Sequence, residues 1–487
     1  MIESADDSPP EAGKLPAGRL ARTARVGGLV TGQSLRWAGM RTANRVRTPE
    51  RAAAAQSERT AALVHQLVDQ LGQMRGAAMK VGQMISMVEF DGMAEDEQDE
   101  LQRKLAALRD EVPPVPFADL ERLMRRELGG PLERVFSEFD EHAFAAASIG
   151  QVHRATTVDG DHVVVKIQYP GVAEAVEADL RNATLLLPLV KRLAPGLDAK
   201  ALAAELRERI AEELDYELEA QNQRRIERLM RGHPFIRVPR VRTDLSTRRV
   251  LVSEYIEGER FEAVRRVDEA QRDRYGEIVF RFFFGLLYRD QIALGDPHPG
   301  NYLQRPDGSV CFLDFGLLGD VNAVRVADER AIAVAVRDAD AAAVKAALIA
   351  GGYLPAARAD VVDADWALSL MRMAIMWYAV PGARRFSPGS ARRGRERRQE
   401  RPDGDQRAAM KTQVNQLTLP PETILIRRMH GIVAVVLGQL RAGADWGAIA
   451  AEYLHGAPPA TPLGQAEADY FARRGGRRTS VSLEATG

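Results

Sequence analysis

The sequence predicts an α+β protein built in two lobes, and three observations carry that expectation. Short β-prone runs broken by an Asp-Gly turn gather between residues 136 and 168 and return at 249–255. The middle of the chain holds Leu294-Gly295-Asp296-Pro297-His298-Pro299-Gly300-Asn301, and Asp314-Phe315-Gly316 follows thirteen residues past that Asn. Beyond Gly316, apolar residues recur at helical spacing as far as about Leu454.

The two central motifs suit phosphoryl transfer. Asp296 can orient an attacking hydroxyl or accept its proton, while Asn301 and Asp314 can hold the magnesium ions that bridge the phosphates of ATP. Asn301-Tyr302-Leu303, an Asp307-Gly308 turn and Val310-Cys311-Phe312-Leu313 read as a hairpin that delivers Asp314 beside Asn301. Alone, Asp-Phe-Gly reads as a surface turn; the Asp/Asn loop upstream makes it a nucleotide-phosphate site. These parts call for a bilobal, protein-kinase-like fold with an N-terminal helical extension and an all-helical C-terminal region.

At 487 residues, with 45% hydrophobic and 28% charged content, the chain has the composition of a globular protein with two lobes and appendages. A net charge of -1 gives no bulk attraction for nucleic acid or acidic lipid. The single cysteine, Cys311, excludes an internal disulfide and a cysteine metal cluster, and its apolar strand context marks it as a packing residue. The most apolar stretch, 431–440, is about half of a membrane span and reads as a short core helix. The N-terminus is acidic where a secretory signal is basic. These features predict a cytoplasmic protein without a transmembrane helix or signal peptide, with a peripheral position on the inner face of the membrane as an option.

In chain order, residues 1–50 form a disordered, basic amphipathic arm. Arg19 to Arg47 carry no intervening acidic residue, a pattern that fits either contact with an anionic membrane surface or a poorly ordered arm. Residues 51–130 are a helical extension, in which Gly76 and Gly82 flank Lys80 and precede Gln83. Residues 131–256 form a small lobe. Phe144 to Gly150 make a small-residue loop containing Ala145, Ala146, Ala147 and Ser148, and a strand from Val163 to Gln168 holds Lys166, the expected phosphate-binding lysine. A buried ammonium needs a carboxylate. A long helix over 199–231 supplies candidates: Asp215 and Glu219, four apart on one face, and Glu213 turned away. Two pairings follow, Lys166 with Glu219 and Lys80 with Glu213 or Asp215. Strands over 238–241 and 249–255 lead through Glu254 and Tyr255 to a hinge at Glu257-Gly258 whose backbone would meet an adenine edge. Residues 257–460 are a mostly helical large lobe, with an Arg-rich insertion at 384–401, and 461–487 are a disordered tail.

With Lys80-Val81-Gly82-Gln83, the alanine loop, Glu213-Leu214-Asp215, Asp296 to Asn301 and Asp314-Phe315-Gly316 in that order, the chain resembles the UbiB/AarF family of atypical protein-kinase-like proteins over roughly residues 55–345. The resemblance implies that the helix bearing Lys80 folds over the active site, and that the alanine loop replaces the usual glycine-rich nucleotide loop. It pairs Lys80 with Glu213 and Lys166 with Glu219. It also implies ATP or ADP and Mg2+ as cofactors, ATPase or small-molecule or lipid kinase activity, and support of isoprenoid-quinone or membrane-lipid metabolism. An anionic membrane surface or an isoprenoid/quinone lipid is the candidate further partner, and no nucleic acid is expected. The family loop reads His-Ala-Asp-Pro-His-Pro-Gly-Asn where this chain has Leu294-Gly295 before Asp296, which puts the fine positioning of the loop in question. The alternatives are an aminoglycoside/choline-type phosphotransferase, or a nucleotide-dependent membrane-associated scaffold without turnover.

Overall fold

The computed structural model describes residues 115–146, 149–177, 214–295, 297–387 and 412–484. The N-terminal arm, the extension through residue 114 and the arginines from 392 to 401 lie outside the described residues. The chain divides into two compact units. One comprises Met1–Met124, Glu141–Val152 and Lys166–Leu214; the other comprises Arg125–Asp140, His153–Val165 and Asp215–Gly487.

After helix α1 (Phe117–Glu127), strands β1 (Phe136–Phe139), β2 (Ala145–Ala146), β3 (Gly150–Thr157) and β4 (His162–Gln168) follow in sequence. Gly160, at a φ of +87°, supplies the left-handed residue of the β3–β4 turn. β2 falls within the expected alanine loop and pairs antiparallel with β3. The sheet runs β1-β3-β4-β6, with β6 at Val250–Glu254.

Helix α2 (Tyr216–Met230) corrects the expectation of one continuous helix over 199–231. Leu214 is a turn and Asp215 is extended (φ −120°, ψ 90°), with its carboxylate accepting from the N–H groups of Glu217 and Leu218. Asp is a strong N-cap because its short side chain reaches these orphan donors. Asp215 therefore starts α2 and shares no helical face with Glu219.

The expected 238–241 strand is also displaced. The strand is β5 (Ile236–Arg237), and Val241 makes only an isolated bridge to Ser253. Pro239, between them, has no N–H to give a ladder. β5 belongs to a second sheet ordered β5-β10-β9-β7, in which β7 is Glu259–Arg260, β9 is Tyr302–Gln304 and β10 is Val310–Phe312. A third pairing joins β8 (Ile292–Leu294) to β11 (Leu318–Asp320).

The larger core is organised around helix α3 (Glu269–Tyr288), which is buried from Ile278 to Tyr288. Phe282 stacks on Phe312 at 3.7 Å, which ties α3 to β10, and Phe280 stacks on Phe284 at 3.9 Å along α3 itself. Each buried aromatic contributes about 1.5–3 kcal/mol of apolar transfer. Cys311 is fully buried in β10, and burial pushes its thiol up to about 12, so it is a packing residue. Helices α4 (Ala323–Arg337), α5 (Ala341–Ala350), α6 (Ala364–Ala379), α7 (Ile424–Leu440) and α8 (Trp446–His455) complete this region. β12 (Arg384–Arg385) pairs with β13 (Gly443–Ala444), and Arg385 binds Glu269 and Asp273, so the first arginines of the expected insertion are anchored. Residues Pro421–Leu440 form a helix long and apolar enough to cross a membrane, of which half is buried inside the protein.

The expected disordered tail is instead helix α9 (Pro462–Glu484). Leu463, Glu467 and Tyr470 lie at i, i+4 and i+7 and are buried. Glu467 meets Arg281, a fully buried arginine within the apolar run of α3, and Arg289. Sequence polarity hid this docking because its anchors are charged.

Candidate functional site

The β9–β10 hairpin sets the site. Its ladder pairs Val310 with Gln304, Cys311 with Leu303 and Phe312 with Tyr302, and the N–H of Leu313 continues it to the oxygen of Asn301 at 3.0 Å. The turn holds because Gly308 takes a φ of +76° and Asp307 accepts from the Ser309 N–H at 2.9 Å. One residue past the ladder, Asn301 Nδ2 donates to Asp314 Oδ2 at 3.0 Å. Asp314 Oδ1 accepts from the N–H of Gly316 at 2.9 Å. The carboxylate is thus oriented on both oxygens, and Phe315 beside it is fully buried as an anchor.

The strand before the loop is fixed to the strand after the Asp-Phe-Gly. β8 and β11 pair antiparallel, and the N–H of Gly295 donates to the oxygen of Leu317 at 2.8 Å. Asp296 follows immediately and lies outside the described residues. His298 caps the turn Pro299–Asn301, its Nδ1 accepting from the Gly300 N–H at 3.1 Å. This turn brings Asn301 onto β9 facing Asp314. Gly295 is tightly packed: a Cβ would come within 2.2 Å of the Leu425 side chain and 2.6 Å of that of Leu317, which would have to turn away.

Helix α2 contributes a residue that sequence reasoning passed over. Asn222 Nδ2 donates to the oxygen of Phe315 at 3.0 Å, so α2 holds the backbone of the Asp-Phe-Gly directly. Its signal is legible in retrospect as i+3 from Glu219 on one helical face. One turn later Arg225 binds Asp320 of β11 at 2.6 Å. Glu219 is buried on α2, at 5% exposure.

The remaining expected residues fall as follows. Glu254 ends β6 and accepts from the Arg240 N–H at 3.2 Å. Tyr255 continues the ladder with its N–H to the His162 oxygen at 3.0 Å, beneath the Arg154 guanidinium. Gly258 lies against β9, where a Cβ would meet the Gln304 oxygen at 2.8 Å. Lys166 is half-buried on β4, and Ala145 and Ala146 form β2. Asp215 caps α2, with Arg248 at 3.6 Å. Lys80, Gly82, Gln83, Ala147, Ser148 and Glu213 lie outside the described residues.

Residues 107–348 match the ABC1 atypical kinase-like domain. The solved structure of Rv3197 from Mycobacterium tuberculosis, in complex with erythromycin, superposes with a TM-score of 0.59 at 30% identity, covering 84% of this chain and 98% of that one. The chain belongs to the ABC1 (UbiB/AarF) family of atypical kinase-like proteins. The AarF domain-containing protein kinase 1 of Xenopus laevis is 33% identical over 263 residues, 52% of this chain and 49% of the relative. The mitochondrial atypical kinase COQ8B of Rattus norvegicus is 32% identical over 307 residues, 62% of this chain and 57% of the relative. The chain spans about half the length of the curated relatives it matches. As an ABC1 protein it has a kinase-like fold, and Asn301 and Asp314 stand side by side at the base of its β9–β10 hairpin.

Proposed function

We propose that this ABC1 protein binds magnesium-ATP and either hydrolyses it or transfers its terminal phosphoryl group to a small or lipid-like molecule, in support of isoprenoid-quinone or membrane-lipid metabolism. The observation that carries the reading is the 3.0 Å bond between Asn301 and Asp314. It sets an amide and a carboxylate side by side on a hairpin whose backbone is fixed at both ends.

The donors fit the ion. Asp314 offers carboxylate oxygens, and Asn301, donating through Nδ2, keeps its amide oxygen for a ligand. Magnesium takes hard oxygen donors in small number and keeps several waters, so two protein ligands and the nucleotide phosphates suffice. Held by Asp314 and Asn301, the ion would supply positive charge against the negative charge that grows on the phosphates during transfer. Asp296 is assigned the orienting or proton-accepting carboxylate. Lys166 is assigned the α- and β-phosphates, with Glu219 as its carboxylate. The small residues Ala145 to Ser148 are assigned the loop over the phosphates, and the backbone at Glu254 and Tyr255 the adenine edge. Lys80, Gly82 and Gln83, with Glu213 and Asp215, are assigned the occluding pairings. The absence of an Ala-Pro-Glu motif after Asp314 speaks against peptide substrates. The erythromycin held by Rv3197 supports a small-molecule acceptor.

The test compares wild type with Asp314→Asn and Asp296→Asn, with and without anionic liposomes. Asp314→Asn should lose magnesium-dependent nucleotide binding, and Asp296→Asn should keep binding and lose turnover. Nucleotide binding with no turnover under any condition would make the protein a scaffold.

A further inference from the structure

We propose that the end of α2 and the face of α9 form a second anion site, which takes a ligand bearing several phosphate-type charges. A cleft of about 850 Å³ lies there, with Leu229, Gly232, Ile292 and Tyr470 in its wall. That volume suits a ligand larger than a single phosphate.

Its charge is one-sided. Arg225, Arg228 and Arg231 line it from α2 and its C-cap, and Arg473 and Arg474 line it from α9. Asp290 is the single carboxylate in the lining, and Arg289 already binds it at 2.8 Å. Two of the five arginines are compensated, Arg225 by Asp320 and Arg231 by Glu227. Among the described residues no carboxylate lies within ion-pair distance of Arg228, Arg473 or Arg474.

The two walls are also fixed to each other. Arg474 donates to the oxygens of Leu229 and Arg228 at 2.8 Å, and the Tyr470 hydroxyl donates to that of Arg231 at 2.9 Å. These donors satisfy the carbonyls that the end of α2 leaves open. The carbonyls give Arg474 hydrogen bonds without cancelling its charge. The arginines are therefore crowded by packing, and a multivalent anion relieves the repulsion while accepting from planar guanidinium forks.

The site is placed to matter. Arg225 lies one turn beyond Asn222, and each reaches the segment from Phe315 to Asp320. An anion in the cleft grips the same helix that holds the Asp-Phe-Gly backbone.

The experiment titrates the full chain with inorganic tripolyphosphate in magnesium-free buffer, alongside sedimentation with phosphatidylcholine vesicles with and without phosphatidylglycerol. Wild type is compared with Arg228→Gln/Arg473→Gln, both exposed positions whose change should leave the fold intact. The expected result is tripolyphosphate binding that weakens with added salt and falls about tenfold or more in the double variant. Retention on phosphatidylglycerol vesicles alone, lost in the variant, keeps the site and assigns it to a lipid headgroup. If neither probe separates variant from wild type, whether both proteins bind it equally or neither binds it, the proposal is overturned.

Discussion

Asn222 on α2 donates its side-chain N–H to the backbone oxygen of Phe315 at 3.0 Å, fastening the helix that carries Glu219 to the segment that carries Asp314. Replacing it leaves a part-buried carbonyl without its donor and frees α2 to shift. Asn222→Leu should lower stability by about 1 kcal/mol. It should also weaken magnesium-dependent nucleotide binding, measured by calorimetry beside a denaturant titration. Lower stability with unchanged nucleotide affinity would reduce the contact to a structural one.

Gly295 stands where the family loop has alanine, and the structure supplies the reason. Leu425, at the start of α7, fills the space a Cβ would need. Gly295→Ala forces Leu425 and Leu317 to turn away, at a cost of about 1–3 kcal/mol. Leu425→Ala opens the space again, so the double variant should be more stable than the two single losses summed. Simple additivity in that double-mutant cycle would mean the two side chains do not meet.

These two contacts mark what can be read from residue order. The hairpin was legible because β-prone runs, an Asp-Gly turn and fixed spacing are local signals. Helices α4 to α8 were legible from their period. The start of α2 was missed because periodicity runs smoothly through Asp215, and only capping geometry stops it. The docking of α9 was missed because its anchors, Glu467, Arg281 and Arg289, are polar in sequence and buried in space. Gly295 was visible only as a departure from a pattern; the residue that explains it lies far along the chain, on α7.

Acid should destabilise the protein in two stages. His430 is buried against Phe284 and Tyr378, and among the described residues neither ring nitrogen has a hydrogen-bond partner. Burial lowers its pKa well below 6.5, and burial lowers that of His233. Below pH 6.5 the unfolded chain takes up protons that the folded chain refuses, so stability falls with pH. Glu467 adds a second stage. Burial alone would raise its pKa, but His233, Arg289, Tyr453 and Arg281 together hold it at about 2, against 4.5 unfolded. Its contribution is complete above pH 4.5 and drains as pH falls toward 2. Denaturant titrations across pH should show both limbs, and His430→Phe should flatten the upper one. A pH-independent wild type between 7 and 5 (roughly the upper limb) would contradict this account.

The last expectation concerns the buried cation. Arg281, with no exposed surface, binds Glu277 at 2.7 Å, Glu452 at 2.8 Å and Glu467 at 3.1 Å, and donates to Thr461 at 3.0 Å. One guanidinium therefore joins α3 to α8, to the segment before α9 and to α9 itself. Its removal strips Glu277 and Glu452 of their counter-ion and leaves Glu467 to Arg289. Arg281→Met should cost about 3–5 kcal/mol and loosen α9 before the core yields. Glu467→Gln keeps a hydrogen-bonding side chain for Arg281 and should cost less. Limited trypsin digestion reads the difference, since the bonds after Arg473 and Arg474 of α9 become cleavable once the helix lifts. Should Arg281→Met leave both the denaturation midpoint and the digestion pattern of wild type intact, Arg281 is not what anchors α9.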